Sequence, residues 1–88
     1  MKVLKFGAVW CSGCLIMKPR WKEIEAELPW LKTEYYDADE EGEMVEKYEI
    51  KNYPCFIFLD KENKEIGREY GEIEKKKLIE IIESYKER

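Results

Sequence analysis

Two cysteines three positions apart, Cys11 and Cys14, have the clearest potential for covalent chemistry in this chain. Thiols at this spacing serve as a redox-active disulfide, as half of a zinc site or as one corner of an iron–sulfur site. The chain has a third cysteine, Cys55, and no histidine. A histidine-based catalytic triad and a Cys/His metal site are therefore excluded. A metal site would need a fourth ligand from Asp, Glu or a second chain.

The elements predicted around the pair favour the redox interpretation. Residues 3–9 are nearly all apolar and predict a strand buried on both faces. Residues 12–28 predict a helix whose apolar stripe comprises Leu15, Ile16, Trp21, Ile24 and Leu28. Cys11 then falls at the helix N-cap, where unpaired N–H groups and the helix dipole stabilise a thiolate. This position predicts Cys11 as the exposed nucleophile and Cys14, one turn later, as its shielded partner.

The rest of the chain predicts one compact α/β domain over residues 1–88. Further strands are expected at 31–38, 55–59 and 65–70, and further helices at 40–48 and 73–85. Asn63 tolerates left-handed backbone and marks a hairpin turn between the last two strands. The order β-α-β-α-β-β-α indicates a four-stranded mixed sheet with helices on both faces.

The distribution of charge is uneven although the net charge is only −4. Residues 1–22 hold five cations and no acid, whereas all 20 acidic residues follow. A strongly basic nucleic-acid footprint is absent. No apolar run approaches the ~20 residues of a membrane span, and no signal peptide is expected. Three cysteines argue against a secreted disulfide framework, so the expected location is the cytoplasm.

In order and spacing, several features resemble the thioredoxin superfamily over essentially the whole chain. They are Trp10 before the cysteine pair, Pro19 after it, the acidic strand end Asp37-Ala38-Asp39, the segment Lys47-Tyr48-Glu49-Ile50 leading to Pro54, and Gly71 before the last helix. The resemblance implies a thioredoxin fold in a short member of the superfamily. The resemblance further implies that this member, like glutaredoxins, lacks the N-terminal strand and helix of full-length thioredoxins.

The resemblance also implies roles for individual residues. Cys11 matches the attacking cysteine and Cys14 the resolving one, and the Tyr53–Pro54 bond is expected to be cis. The positions expected to hold an extended substrate strand are Trp10, Tyr53, Pro54, Tyr70 and Gly71. The implied chemistry is dithiol–disulfide exchange with disulfide-containing proteins, with no cofactor in the chain. The partners implied are these substrates and an upstream reductase or glutathione, and the chain is expected to act as a monomer.

Three positions depart from the superfamily's pattern. The dipeptide between the cysteines is Ser12-Gly13, which lacks both proline and histidine, and Gly13 loosens the first helical turn. Lys5 stands where thioredoxins place a buried Asp. We expect its side chain to lie beneath the helix near Cys14, with Glu34 as a possible partner. Cys55 follows Pro54 directly, either as a buried small side chain or as a third redox thiol.

Two alternatives remain open at this stage. One is a glutaredoxin-like protein reduced by glutathione. The other is a non-catalytic module that binds a partner in its groove or holds a metal with its cysteines.

Overall fold

Seven elements follow the predicted order in the computed structural model, which describes residues 1–86. They are β1 Lys2–Gly7, α1 Ser12–Glu27, β2 Lys32–Asp37, α2 Gly42–Lys47, β3 Cys55–Leu59, β4 Glu65–Tyr70 and α3 Lys75–Tyr85. The bounds of β3 and β4, the start of α1 and the end of α3 are as predicted, and the remaining ends differ by one or two residues. The predicted hairpin is confirmed, because Asn63 has a positive φ of 63° between β3 and β4.

The strands form one four-stranded mixed sheet in the order β2-β1-β3-β4. β1 runs parallel to β2 and antiparallel to β3, and β3 pairs antiparallel with β4. The end of β1 is thereby placed between two other segments of the candidate site. Phe6 pairs with Cys55 on one side, and Gly7 pairs with Asp37 on the other.

Strand alternation divides the core into two layers. Side chains of β1 and β3 pack on one face against α1 and α3, through Val3, Phe56, Phe58, Leu78 and Ile82. The alternate side chains pack on the other face beneath α2, through Leu4, Phe6, Cys55, Ile57 and Leu59. All five residues of β3 are buried, as expected for a strand covered on both faces.

Helix α1 buries a different stripe from the predicted one. The buried residues are Met17, Trp21 and Ile24, at the i, i+4, i+7 spacing of a single helix face. Leu15 and Ile16 are 63% and 44% exposed, so their assignment to the core is wrong. Within residues 1–86, no helix is long and apolar enough to cross a membrane.

Candidate active site

The turn from β1 into α1 carries the cysteine pair. Cys11 is the N-cap of α1, with extended backbone at φ −96° and ψ 113°. Its N–H donates to the Ala8 carbonyl oxygen at 3.2 Å, which closes the turn. The N-cap position predicted for Cys11 is therefore confirmed.

The sulfur of Cys11 caps the helix. Cys14 N donates a hydrogen bond to Cys11 Sγ over 3.2 Å, so one of the unpaired N–H groups of the first turn points at this sulfur. A negative sulfur is stabilised there by the N–H dipole and by the positive end of the helix. All three cysteines are free thiols, so this is the dithiol form of the pair.

The thiol of Cys14 is held in its protonated form. Burial raises the pKa of Cys14 to about 12, and a hydrogen bond to the Cys11 side chain and the charge of that side chain act in the same direction. A donor thiol therefore stands beside an acceptor sulfur. The pair is electrostatically unequal, as an attacking and a resolving cysteine need to be.

The expected exposure of the two thiols is wrong. Cys11 is only 8% exposed, because the N-cap hydrogen bonds hold it against the turn that ends at Trp10. Cys14 is half-buried and lines a cavity beneath α1, so it is the more open residue. The two residues therefore differ in exposure in the opposite sense to the expected one, and desolvation of the Cys14 sulfur is still the largest cause of its raised pKa.

The segment around Pro54 lies directly against the cysteine turn. The Tyr53–Pro54 bond is cis, as the resemblance implied. A Cβ atom added to Gly13 would lie 3.1 Å from Pro54 Cδ, so Gly13 permits this close approach. Gly71 has a φ of +87°, and its N–H donates to the Pro54 carbonyl oxygen at 2.8 Å. The structure thus brings together Pro54, Gly13 and Gly71.

Aromatic side chains extend this surface. Trp10 is 64% exposed and meets Tyr53 edge-on, with ring centroids 5.6 Å apart. Trp10 Nε1 donates to Asp39 Oδ2 at 3.2 Å, which fixes the orientation of the indole. Tyr70 is also exposed, at the end of β4 next to Gly71. We call Trp10, Tyr53, Pro54, Tyr70 and Gly71 the groove flank of the cysteine pair.

Cys55 belongs to the core beneath α2. It is fully buried among Leu4, Phe6 and Ile57. Burial raises its pKa to about 11, although Arg68 and Tyr70 pull in the opposite direction. These surroundings are those of a small core side chain, which was one of the two interpretations of Cys55.

Lys5 lies beneath α1, on the other side of the cysteine pair. Its Nζ is 2.6 Å from Glu25 Oε2 and 5.5 Å from the centre of the Trp21 ring. The same carboxylate oxygen accepts a hydrogen bond from Thr33 Oγ1 at 3.0 Å. Only 16% of the Lys5 side chain is exposed, so α1 supplies the counter-charge that this desolvated cation requires.

The predicted Lys5–Glu34 pair is wrong. Glu34 pairs in register with Leu4, so strand alternation places it on the opposite face of the sheet from Lys5. There it lies 3.1 Å from Lys2 Nζ and accepts a 2.6 Å hydrogen bond from Tyr36. The Tyr36 hydrogen bond and the Lys2 contact lower the pKa of Glu34.

A cavity of about 350 Å³ connects Lys5 and Glu25 with Cys14. Tyr35 of β2 forms part of its wall, and Gly7 makes room there. A Cβ atom on Gly7 would lie 2.9 Å from the Tyr35 hydroxyl and 3.3 Å from Cys14 Sγ. Burial and the charge of Asp37 raise the pKa of Tyr35. Together with Val9, Leu15, Lys18 and Lys22, these lining residues form what we call the cavity flank.

The sequence did not single out Glu25, Tyr35 or Asp39 as site residues. Asp39 had a partial signal, since it ends the acidic segment after β2. Glu25 is one of several glutamates along α1, and only its position over Lys5 distinguishes it. Within residues 1–86, no group of three or more Cys, Asp or Glu side chains is arranged to hold a metal ion.

Comparison with known proteins gives one consistent family. The family model described as Thioredoxin matches residues 1–84. The thioredoxin of Chlamydia trachomatis is 31% identical over 83 residues, covering 94% of this chain and 80% of that protein. Thioredoxin H5 of rice is 38% identical over 69 residues, but the match covers 78% of this chain and only 50% of the rice protein.

Solved structures give the same result for the fold. A thioredoxin from Fasciola hepatica is similar with a TM-score of 0.87 and 31% identity, over 96% of this chain and 79% of that one. A thioredoxin from Nicotiana alata has a TM-score of 0.87 and 27% identity, over 96% of this chain and 71% of that one.

Proposed function

The chain belongs to the thioredoxin family, and we propose that it is a thiol–disulfide oxidoreductase that reduces protein disulfides through Cys11 and Cys14. One observation carries the assignment of roles. Cys11 Sγ accepts the N–H of Cys14 at the start of α1, while the Cys14 thiol beside it keeps its proton. This arrangement supports attack by Cys11 and resolution by Cys14.

In the first step, the Cys11 thiolate attacks one sulfur of a substrate disulfide. A bond forms between Cys11 and that sulfur, the substrate S–S bond breaks, and the other substrate sulfur leaves and takes up a proton. In the second step, Cys14 loses its proton and attacks Cys11 Sγ. The mixed disulfide breaks, the second substrate thiol is released, and the protein keeps the Cys11–Cys14 disulfide. Two electrons pass from the protein to the substrate; Cys14 supplies one of the two protons and solvent supplies the other, because the Cys11 thiolate has none to give.

The high pKa of Cys14 does not block the second step. Burial is its largest cause, but the hydrogen bond to the Cys11 side chain and the charge of that side chain also contribute. Both of these contributions require Cys11 as a free thiolate or acceptor, and both weaken once Cys11 is joined to the substrate. Cys14 then ionises more readily at the stage where it must attack.

The groove flank supplies the surface for an extended substrate strand. Trp10 and Tyr70 expose aromatic area, and the backbone at Pro54 and Gly71 lies beside the cysteine turn. We also propose that the chain works as a monomer in a reducing compartment such as the cytoplasm, because an odd number of cysteines, three, argues against a secreted disulfide framework. A protein or small-molecule dithiol, or glutathione, would restore the reduced pair.

A direct test uses the dithiothreitol-reduced chain and a protein disulfide substrate in single turnover. We expect one substrate disulfide to be reduced per chain, with Cys11 and Cys14 joined afterwards and Cys55 still free. Equilibration in glutathione buffers, followed by alkylation and mass analysis, gives the potential and the stable adducts. A lasting glutathione adduct on Cys11 as the main product would favour the glutaredoxin-like alternative. The absence of exchange would leave only a binding module.

A further inference from the structure

The cavity flank has the character of a binding pocket. Its volume of about 350 Å³ lies at the lower end of the range for ligand pockets, about 300–1,000 Å³. The walls are largely apolar and include Val9, Leu15, Met17, Trp21, Tyr35 and Phe56. The cavity also reaches Cys14 and Pro54, so its surface is continuous with the proposed site of exchange.

The mouth of this cavity exposes apolar surface. Val9 is 77% exposed and Leu15 63%, and Tyr35 is exposed beside them on β2, the edge strand of the sheet. Large apolar side chains that surround a cavity indicate a surface that is covered when a partner binds. The side chain of Ile16 is also exposed on α1 but does not line the cavity.

Positive charge rims the same cavity. Lys18 and Lys22 are exposed lining residues of α1, and in the part of the chain that the structure describes neither forms an ion pair. The charge of Lys5 is matched by Glu25. The lining therefore has an excess of two positive charges next to apolar walls. An occupant that combines an apolar group with a neighbouring negative charge complements it.

We propose that the cavity flank is a specificity pocket that receives one large apolar side chain of the substrate polypeptide, with an acidic residue next to it at Lys18 and Lys22. This inference rests on the proposed function, since the substrate is the protein whose disulfide reacts at Cys11. A polypeptide that reaches Cys11 passes close to the cavity, because Val9 and Cys14, on either side of Cys11 in the chain, both line it. Burial of a leucine or phenylalanine side chain there favours such substrates about 10- to 100-fold over alanine.

Peptide disulfides provide the test. Each peptide has one cysteine, disulfide-bonded to glutathione, and alanine at the four positions on either side. A leucine followed by a glutamate is then moved through these positions. Second-order rate constants are measured in single turnover with the reduced chain. We expect one placement to react about 10- to 100-fold faster than the all-alanine peptide.

Two matched variants locate the preference. Leu15→Asp places a charge in the mouth of the cavity, and Ile16→Asp places the same charge one residue further along α1, outside the cavity. We expect Leu15→Asp to reduce the ratio of the rate constants for the leucine and all-alanine peptides to within about twofold of one. Ile16→Asp should keep most of this ratio. If both variants lose this preference equally, or neither loses it, the assignment of the cavity as a specificity pocket is wrong.

The charge of the neighbouring residue is tested separately. At the favoured placement, glutamate beside the leucine should react several-fold faster than lysine at low ionic strength, and the difference should shrink at about 1 M salt. The double variant Lys18→Glu/Lys22→Glu should reverse the order, whereas Lys76→Glu/Lys77→Glu on α3 should not. A glutamate preference that survives Lys18→Glu/Lys22→Glu would contradict the assignment of the rim.

The outcomes separate the pocket from the proposed function. If all peptides react at one rate, exchange stands and the pocket is wrong. If no peptide reacts, the proposed function itself fails.

Two other occupants of the cavity are also distinguished. A flat peptide profile with saturable octanoate binding, seen as amide shifts around Leu15, would assign the cavity to free carboxylates. A dimer that Leu15→Asp dissociates would assign it to a second copy of the chain. Either result would overturn the proposal.

Discussion

The two flanks of the cysteine pair are built in different ways. On the groove flank, backbone contacts and aromatic side chains meet at Pro54, and no ion pair takes part in those contacts among residues 1–86. On the cavity flank, a desolvated Lys5–Glu25 pair lies above Trp21 and beside an open volume that reaches Cys14. The comparison indicates that the groove flank is held together by backbone contacts and aromatic packing, whereas the cavity flank depends on side-chain charge around an open volume.

The largest expected difference between the flanks concerns their tryptophans. Trp21 is buried and stacks edge-on with Phe56, with centroids 5.2 Å apart, so Trp21→Ala should lower the free energy of unfolding by about 3–5 kcal/mol. Trp10→Ala, at an exposed position, should change it by about 1 kcal/mol or less. Urea unfolding of both variants gives these values.

The same pair of variants should show the reverse order in binding. We expect Trp10→Ala to reduce the rate with protein disulfides about tenfold, because an exposed aromatic on the groove flank contributes contact area. A small organic disulfide should be affected much less. If Trp10→Ala destabilises the fold as much as Trp21→Ala, the division between the flanks is wrong.

The next largest expected effect is the loss of stability when the Lys5–Glu25 ion pair is broken. Lys5→Met leaves a carboxylate with one-third of its side chain exposed and Thr33 as its remaining partner, so we expect a loss of about 1–2 kcal/mol of stability. Glu25→Gln should behave similarly. The double variant Lys5→Met/Glu25→Gln should be more stable than the sum of the single changes predicts. Additive losses would show that the two side chains do not interact.

The buried thiols predict a loss of stability in alkali. The pKa of Cys55 in the fold is about 11, above its usual 9.0, and that of Cys14 is raised in the same direction. The unfolded chain therefore gives up these protons first as the pH rises. Their contribution to stability is complete below about pH 9 and declines through about pH 11. Unfolding under reducing conditions at several pH values measures the decline, which Cys55→Ala should lessen.

The smallest effect is expected at the contact between the cysteine turn and Pro54. Gly13→Ala would place a Cβ atom 3.1 Å from Pro54 Cδ, which requires a shift of a few tenths of an ångström. We expect a change in stability below about 1 kcal/mol, because alanine also favours the first turn of the helix. Amide shifts should move at Pro54's neighbours Tyr53 and Cys55 and not at Lys5. Shifts centred on Lys5 would contradict the separation of the flanks.

Much of the fold could be predicted from the sequence because its signals are local. The fully apolar run of β3 and the turn at Asn63 fixed the hairpin, and the cysteine turn followed from the junction of a strand and a helix. The groove flank could be predicted from a resemblance because its residues have characteristic types at characteristic spacings. Pro54 beside Gly71 is the clearest example.

The contacts of the cavity flank could not be predicted from residue types and their spacing in the sequence. The sequence pointed to Glu34 and not to Glu25 as the partner of Lys5, and the register of β2 with β1 places Glu34 on the other face of the sheet. Leu15 is of an apolar type that is usually buried. However, the orientation of α1 about its own axis buries Met17 and Trp21 and leaves the Leu15 side chain exposed. The predicted exposure of the two cysteines was wrong for a related reason. The cavity that exposes Cys14 is formed by packing between elements that are distant in the sequence.

The most direct test of the two roles is a trapping experiment with single-cysteine variants of the pair. Reduced Cys14→Ser and Cys11→Ser chains, each also carrying Cys55→Ala, are incubated with an excess of a peptide disulfide near pH 7 and examined by mass spectrometry. We predict that Cys14→Ser accumulates a mixed disulfide through Cys11, whereas Cys11→Ser reacts at least about 100-fold more slowly, because the Cys14 thiol keeps its proton when its pKa is raised by burial. Rapid adduct formation on Cys14, with Cys11 inert, would contradict the assignment of the two roles.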